Sequence, residues 1–285
     1  GSPYIQQQII AATIEKGAWF VTAGASLNSM KINFQRWQPQ ALTGGVKTFN
    51  NQVAPRLAIM YRVGSSSLYT SVSKGFSPPA TSELLPTGSD LNTDLEAEVG
   101  WNYDIGWKGI LFNRLSFDVN AFWFALQNGV VQRRDAGGGE FFINAGETKQ
   151  QGVETGLSYY LPFTFARNNI WLSHTYHRFK YKTFRQVTND YSGNQLPGVA
   201  PHTIAAGYDL SWNNGFTAAL TYYYSDALPL NDANTAYADA YHLLGIKLGW
   251  QKSIAEKWNV NLSAGAENLL NQTYSLGNDI NGFGG

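Results

Sequence analysis

The sequence predicts an all-β fold, an antiparallel transmembrane β-barrel. Three observations carry this reading. Side-chain polarity alternates with a period of two along most of the chain. Several alternating runs reach ten or more residues, long for a soluble strand and suited to a tilted membrane-crossing one. The connections between runs alternate short and long, which sorts tight turns to one end and loops to the other, as in an outer-membrane barrel and unlike a soluble sandwich.

About twelve runs carry strand signals: roughly 5–15, 18–33, 52–63, 66–75, 97–109, 114–127, 141–161, 169–182, 202–213, 215–226, 241–252 and 257–270. The first pair turns at Glu15-Lys16-Gly17 and the second at Gly64-Ser65-Ser66. The 97–109 run places Val99, Trp101, Tyr103, Ile105 and Trp107 on one face, against Glu98, Gly100, Asn102, Asp104, Gly106 and Lys108. After Leu111-Phe112-Asn113, the pattern returns as Leu115, Phe117, Val119, Ala121 and Trp123 against Ser116, Asp118 and Asn120. The 141–161 and 169–182 runs turn between Phe163 and Asn168. Asn213-Asn214-Gly215 is a tight-hairpin signal, because Asn and Gly tolerate positive φ. Leu244, Ile246, Leu248 and Trp250 form the next apolar face; beyond the turn from Ser253 to Lys257, Trp258, Val260, Leu262, Ala264 and Ala266 form the last. Long polar connections fall near 34–51, 76–96, 128–140, 183–201 and 227–240.

In hydrocarbon every backbone N–H and C=O must be paired, so membrane-crossing strands close on one another. The apolar faces then meet lipid and the polar faces a lumen. Trp107, Trp212, Trp250 and Trp258 fall at strand ends, where an interfacial aromatic girdle sits.

Composition excludes other classes. Lys+Arg and Asp+Glu are both 20, so the chain lacks the basic footprint of a nucleic-acid binder. With no Cys there are no disulfides, thiolate metal sites or Cys nucleophiles. Charged residues are 14%, against ~25% in soluble domains. No apolar run approaches the ~18 residues of a membrane helix. Gly1-Ser2 reads as a cloning remnant, and the start carries no signal-peptide pattern. No composition shift marks a domain boundary.

Catalytic and metal motifs fail on strand geometry. Ser71-Val72-Ser73-Lys74 matches S-x-x-K, but residues three apart on a strand face opposite ways. The same parity separates His174 from His177, and His202 and His242 read as rim or lumen histidines at strand starts. Glu96 and Glu98 share a face, yet nothing splits their protonation, so lumen carboxylates are expected. Asn231-Asp232-Ala233-Asn234 lacks the spacing of a Ca²⁺ loop. No catalytic residue, metal site or resident cofactor is expected.

Five stretches resemble the TonB-dependent outer-membrane receptors. Pro55 to Tyr61 with Leu68 to Pro79 is similar to their "PR…Y…LYASYSKGFxPP" hairpin, and Gln151-Gly152-Val153-Glu154-Thr155-Gly156 to their "xGVE…G" strand. Ala266 to Tyr274 resembles "xENLxxxxY" before the last strand; Asn92 to Glu98 and Leu196 to His202 fit two further strand starts. The segment Tyr274 to Asn281 is similar to the ferric-siderophore branch.

The resemblance implies energised uptake of a ferric siderophore or a similar scarce nutrient, without covalent chemistry, from the bacterial outer membrane. The implied partners are outer-membrane lipid, the receptor's own plug domain, the TonB complex through the N-terminus, and a ferric chelate as cargo. The family barrel has 22 strands against about twelve here. Residues 1–285 are therefore expected to be a C-terminal barrel portion, without plug or final strand. The alternative is a complete small barrel of about twelve strands, a porin-like channel or membrane enzyme, since an even count permits closure. Ferric chelates are bulky, flat and often anionic, so ligand contacts are expected from Arg and from aromatic rings in the long loops. The candidates are Arg36, Trp37, Arg133, Arg134, Arg178, Tyr181, Arg185, Tyr237 and Tyr241. Arg56, Arg62, Glu98 and Glu154 are expected to face the lumen and the plug.

Overall fold

The computed structural model describes residues 2–36, 42–84, 92, 94–134, 139–144, 146–186, 189–255, 258–275, 277 and 280–281. Among them twelve long strands form one sheet. They are β1 (Ser2–Lys16), β2 (Trp19–Arg36), β3 (Leu42–Val63), β4 (Ser66–Ser77), β5 (Glu98–Leu111), β6 (Leu115–Gln127), β9 (Glu147–Tyr160), β10 (Ala166–Thr183), β13 (His202–Trp212), β14 (Phe216–Ser225), β17 (Tyr241–Ala255) and β18 (Trp258–Ala266). The intervening numbers are two-stranded ribbons in the long connections: β7 (Val130–Arg134) with β8 (Glu140–Asn144), β11 (Arg185–Gln186) with β12 (Asn189–Asp190), and β15 (Leu228–Pro229) with β16 (Tyr237–Ala238). One helical turn, α1 (Thr81–Leu84), follows β4.

Each long strand pairs antiparallel with its neighbours in sequence order. The sheet is open among the described residues: β1 pairs only with β2 and β18 only with β17. Closure of β1 on β18, which a complete twelve-strand barrel requires, is not part of this sheet.

Two elements differ from the sequence reading. The expected 141–161 strand is two, because β8 folds back on β7 before β9 joins the main sheet. The first long connection is largely strand, with Arg36 paired to Leu42. Beyond the bilayer water meets both faces, so alternation there is not enforced and polarity misses the strand.

Register fixes the faces. Leu68, Trp107 and Val119 align across β4–β6, as do Val72, Tyr103 and Trp123. Trp101, Tyr103, Ile105 and Trp107 are 39–56% exposed, and this apolar side is the outward face. The other face is a hydrogen-bonded polar surface: Ser71 Oγ donates to Asp104 Oδ2 at 3.1 Å and Asn102 Nδ2 to the same oxygen at 2.5 Å.

At the long-loop end the connections pack over one another. Val130 and Phe142 join Met30, Ile32, Phe49, Leu84, Leu95 and Ala97 in one buried cluster. Val131 and Ile143, one step along the same ribbon, join Tyr181 and Phe184 in a second. Successive strand residues point to opposite sides, so the β7–β8 ribbon is a wedge between two small cores. Asn144 anchors it: its amide donates to Glu96 O and Asn128 O, and its Oδ1 accepts from Glu96 N.

Candidate functional site

The cavity that fits a bulky ligand lies on the inward face at the long-loop end. It measures about 810 Å³. Alternate residues of four strands supply its wall: His177 and Phe179 from β10, Thr203 from β13, Tyr223 and Ser225 from β14, and Tyr241 from β17. Register dictates this set, since Thr203 pairs with Ser225 and Ser225 with Tyr241. Loop residues Tyr237, Asp239 and Tyr274 complete it.

The rings are mutually placed. Tyr241 lies 5.9 Å from Tyr223 and stacks on Tyr274 at 5.2 Å between centroids. His177 lies 4.7 Å from Phe179, and Phe122 of β6 meets both edge-on. Such a wall offers flat π faces and phenolic hydroxyls. Among its described residues Asp239 carries the only carboxylate, and no arginine lines it. It suits stacking and hydrogen bonding on a planar, oxygen-rich ligand better than neutralisation of a high charge.

The expected ligand residues separate into groups. Tyr237 and Tyr241 both line the cavity. Tyr181 does not, which corrects the expectation for it. It is 2% exposed, packs on Phe184 at 4.7 Å, and donates from its hydroxyl to Asp232 Oδ1 at 2.5 Å. Its ring is consumed in joining two loops. Arg178 shares the outward face with Tyr176, because parity sets it opposite His177 and Phe179, so it too is away from the cavity. Arg185 pairs with Asp190 at 3.0 Å within its own ribbon. The Asp190 carboxyl is held below its ordinary range, first by its hydrogen bonds from Ser192 and then by Arg185. Arg36, Arg133 and Arg134 sit on strands whose side chains there lie outside the described residues, as does the whole of Trp37.

The four expected lumen residues all share the polar face. Arg56 pairs in register with Ser73, whose cross-strand neighbour is Asn102, and Arg62 lies over the Phe20 ring at 4.8 Å. Glu154 aligns with Asn120. Glu98 accepts a hydrogen bond from Val130 N at 2.8 Å, which ties β5 to the β7–β8 ribbon. Ser71 is engaged by Asp104 and Lys74 Nζ donates to Gln52 Oε1, so the S-x-x-K match brings no nucleophile to a base.

Two arrangements escaped the sequence reading. His174 Nε2 and His202 Nδ1 meet at 3.0 Å on the outward face, with Tyr176 against His202 at 4.8 Å. Only the β10–β13 register brings residues 28 apart together. The second is an interlock of the 183–201 and 226–240 loops. Besides Tyr181–Asp232, Asn194 donates to Asp232 O, Gln195 and Asn234 exchange two hydrogen bonds, and Gly198 N donates to Pro229 O. Tyr181→Phe removes a charge-assisted bond worth about 1.5–3 kcal/mol. Its expected result is faster amide exchange in both loops together, with exchange in β13 and β14 unchanged.

A family model described as "TonB dependent receptor-like, beta-barrel" matches residues 4–269. The siderophore receptor PiuA from Acinetobacter baumannii superimposes with a TM-score of 0.72 at 21% identity, over 95% of this chain and 40% of its own. The ferric citrate transporter FecA, unliganded, gives 0.78 at 18% identity, over 95% and 41%. The copper transporter OprC gives 0.76 at 14%, over 96% and 42%. The chain thus spans about two-fifths of the length of these structures. At such identities the likeness is one of fold.

Proposed function

The chain belongs to the TonB-dependent receptor β-barrel family, and from that premise we propose that it is the C-terminal barrel portion of an outer-membrane receptor that takes up a ferric siderophore or a similar scarce nutrient. The observation that carries this is the aromatic cavity on the inward face beneath the long loops. A ligand arriving from the loop end would stack on Tyr241 and Tyr223 and take hydrogen bonds from their hydroxyls and from His177. No bond is made or broken in this step. Passage through the barrel would need a plug on the polar face, near Arg56, Arg62 and Glu154, and energy from the TonB complex. The location that follows is the bacterial outer membrane. A twelve-strand porin-like channel or membrane enzyme finds no support in a sheet whose first and last strands do not pair.

The test uses the full-length receptor in detergent, with ferric catecholate, ferric hydroxamate and ferric citrate as probes and intrinsic fluorescence as the readout. One probe should quench wild type saturably. Tyr241→Ala should weaken it about tenfold, the scale of one lost stacking partner. Failure of every probe on wild type, or binding by both Tyr241→Ala and His177→Ala unchanged from wild type, rejects the cavity as the ligand site.

A further inference from the structure

The parity that keeps His174 and His177 apart brings His174 to a different histidine. On β10 and β13, Tyr176 pairs with His202 and His174 with Ile204, so His174 and His202 share the outward face as diagonal neighbours. His174 Nε2 stands 3.0 Å from His202 Nδ1. The ring planes differ by 8° and the ring centres are 5.3 Å apart, so the rings meet edge to edge, nitrogen facing nitrogen. The Tyr176 ring packs on His202 at 4.8 Å and steadies it in this orientation. Tyr176 also stands between the pair and Arg178 along β10.

That spacing has two uses. One N–H···N hydrogen bond fits it. So does one transition-metal ion: at metal–nitrogen distances of about 2.0–2.1 Å, two imidazole nitrogens on adjacent corners of a square or tetrahedron stand roughly 2.9–3.4 Å apart. The change asked of the side chains is small. The ring that donates moves its N–H to its outer nitrogen, both rings tilt, and two lone pairs converge on one point. Among the described residues no group of three His, Asp or Glu surrounds such a point, so water would fill the other positions. His202 is the first residue of β13, directly after the 183–201 loop, which puts the pair at the wetted end of the outward face. Asp226, whose N–H donates to His202 O at 2.9 Å, brings a carboxylate to the same strand end. Two imidazoles completed by water suit a first-row divalent ion, and Cu²⁺ is held more tightly than Ni²⁺ or Zn²⁺ in such a set.

We propose that His174 and His202 form a two-histidine site for a divalent transition-metal ion, Cu²⁺ foremost, on the outward face. The inward residues His177 and Thr203 of the same two strands wall the cavity, so the ion would clamp β10 to β13 directly behind it. The proposal rests on strand register and is independent of the cargo.

The experiment strips the full-length receptor of metal with a chelator in detergent and titrates it with Cu²⁺, Zn²⁺ and Mg²⁺. Calorimetry reads affinity, and electron paramagnetic resonance reads the Cu²⁺ ligands. Wild type should show Cu²⁺ split by two ring nitrogens, with Zn²⁺ competing weakly and Mg²⁺, which takes oxygen ligands, not at all. His174→Ala and His202→Ala should each lose the two-nitrogen signal and weaken the site at least about a hundredfold, the upper end of what losing even an outer-shell partner costs. His242→Ala should keep it, since that ring bonds the Tyr222 hydroxyl at 2.6 Å instead. Should an alanine variant not fold, His202→Gln takes its place, because an amide still hydrogen-bonds His174. A wild type without the two-nitrogen signal means a hydrogen bond only and overturns the proposal. A signal that survives in the folded variants overturns it as well. Wild-type binding of the ferric probes reports the cargo reading separately.

Discussion

Ile246→Arg is expected to cost the folded barrel about 2–4 kcal/mol in a bilayer. Ile246 stands mid-strand on the outward face of β17 and is 39% exposed. Its cross-strand neighbours are Leu220 and Ala266, and it lies midway between His242 and the girdle residue Trp250. A guanidinium there has only hydrocarbon and apolar side chains around it, and its route to water runs about half the membrane-crossing length of the strand. Lys247, the next residue, already carries a charge on the polar face, so Lys247→Gln should change stability by less than about 0.5 kcal/mol. Urea titration of the full receptor refolded into phospholipid vesicles checks both. Equal effects at the two positions would mean that the faces are not lipid and lumen.

Gly215→Val is expected to be at least as damaging, about 3 kcal/mol or more. Gly215 closes the β13–β14 hairpin with φ at +92°, and its N–H donates to Trp212 O at 3.1 Å. A Cβ there would sit 2.0 Å from Gln251 O, a backbone atom that no rotamer change can move. That carbonyl belongs to β17, so the valine also pushes the next strand away. Gly17 separates the two causes: φ is +61° but nothing lies within 4 Å of its Cβ position. Gly17→Ala should therefore cost only the left-handed backbone, about 1–2 kcal/mol. The fraction of heat-modifiable folded species on a cold gel reads out each variant. A Gly215→Val barrel as stable as Gly17→Ala would show that the hairpin end relaxes freely.

The strands were legible because two media read their two faces. A run such as Val99 to Trp107 is apolar at every second residue for no reason but lipid. Outside the bilayer that contrast ends, and so did the reading, at β3 above Asn51 and at the split between β8 and β9. The membership of the candidate cavity was legible only in part. Tyr237 and Tyr241 reached the cavity; Tyr181, an equally plausible loop aromatic, was claimed by Asp232. Which of several tyrosines is free depends on a partner 51 residues away. Arg178 failed for a simpler reason. The parity that parts His174 from His177 also parts Arg178 from Tyr181, but a residue taken to be in a loop is not tested for parity. The His174–His202 contact needs the β10–β13 register, which no local pattern encodes.

The bonds between the 183–201 and 226–240 loops matter for anyone wishing to transplant recognition from one barrel to another. Neither segment is a self-contained module. Grafted alone, the earlier loop would present Asn194 without Asp232 of the later loop, and would land on a strand whose end need not carry the tyrosine that Asp232 also binds, as Tyr181 at the end of β10 does here. The unit of exchange is the pair, with the β13–β14 hairpin that spaces them. Successive sequence changes in one loop are tied to the other in the same way, so diversification at this end of the barrel should proceed in coupled steps.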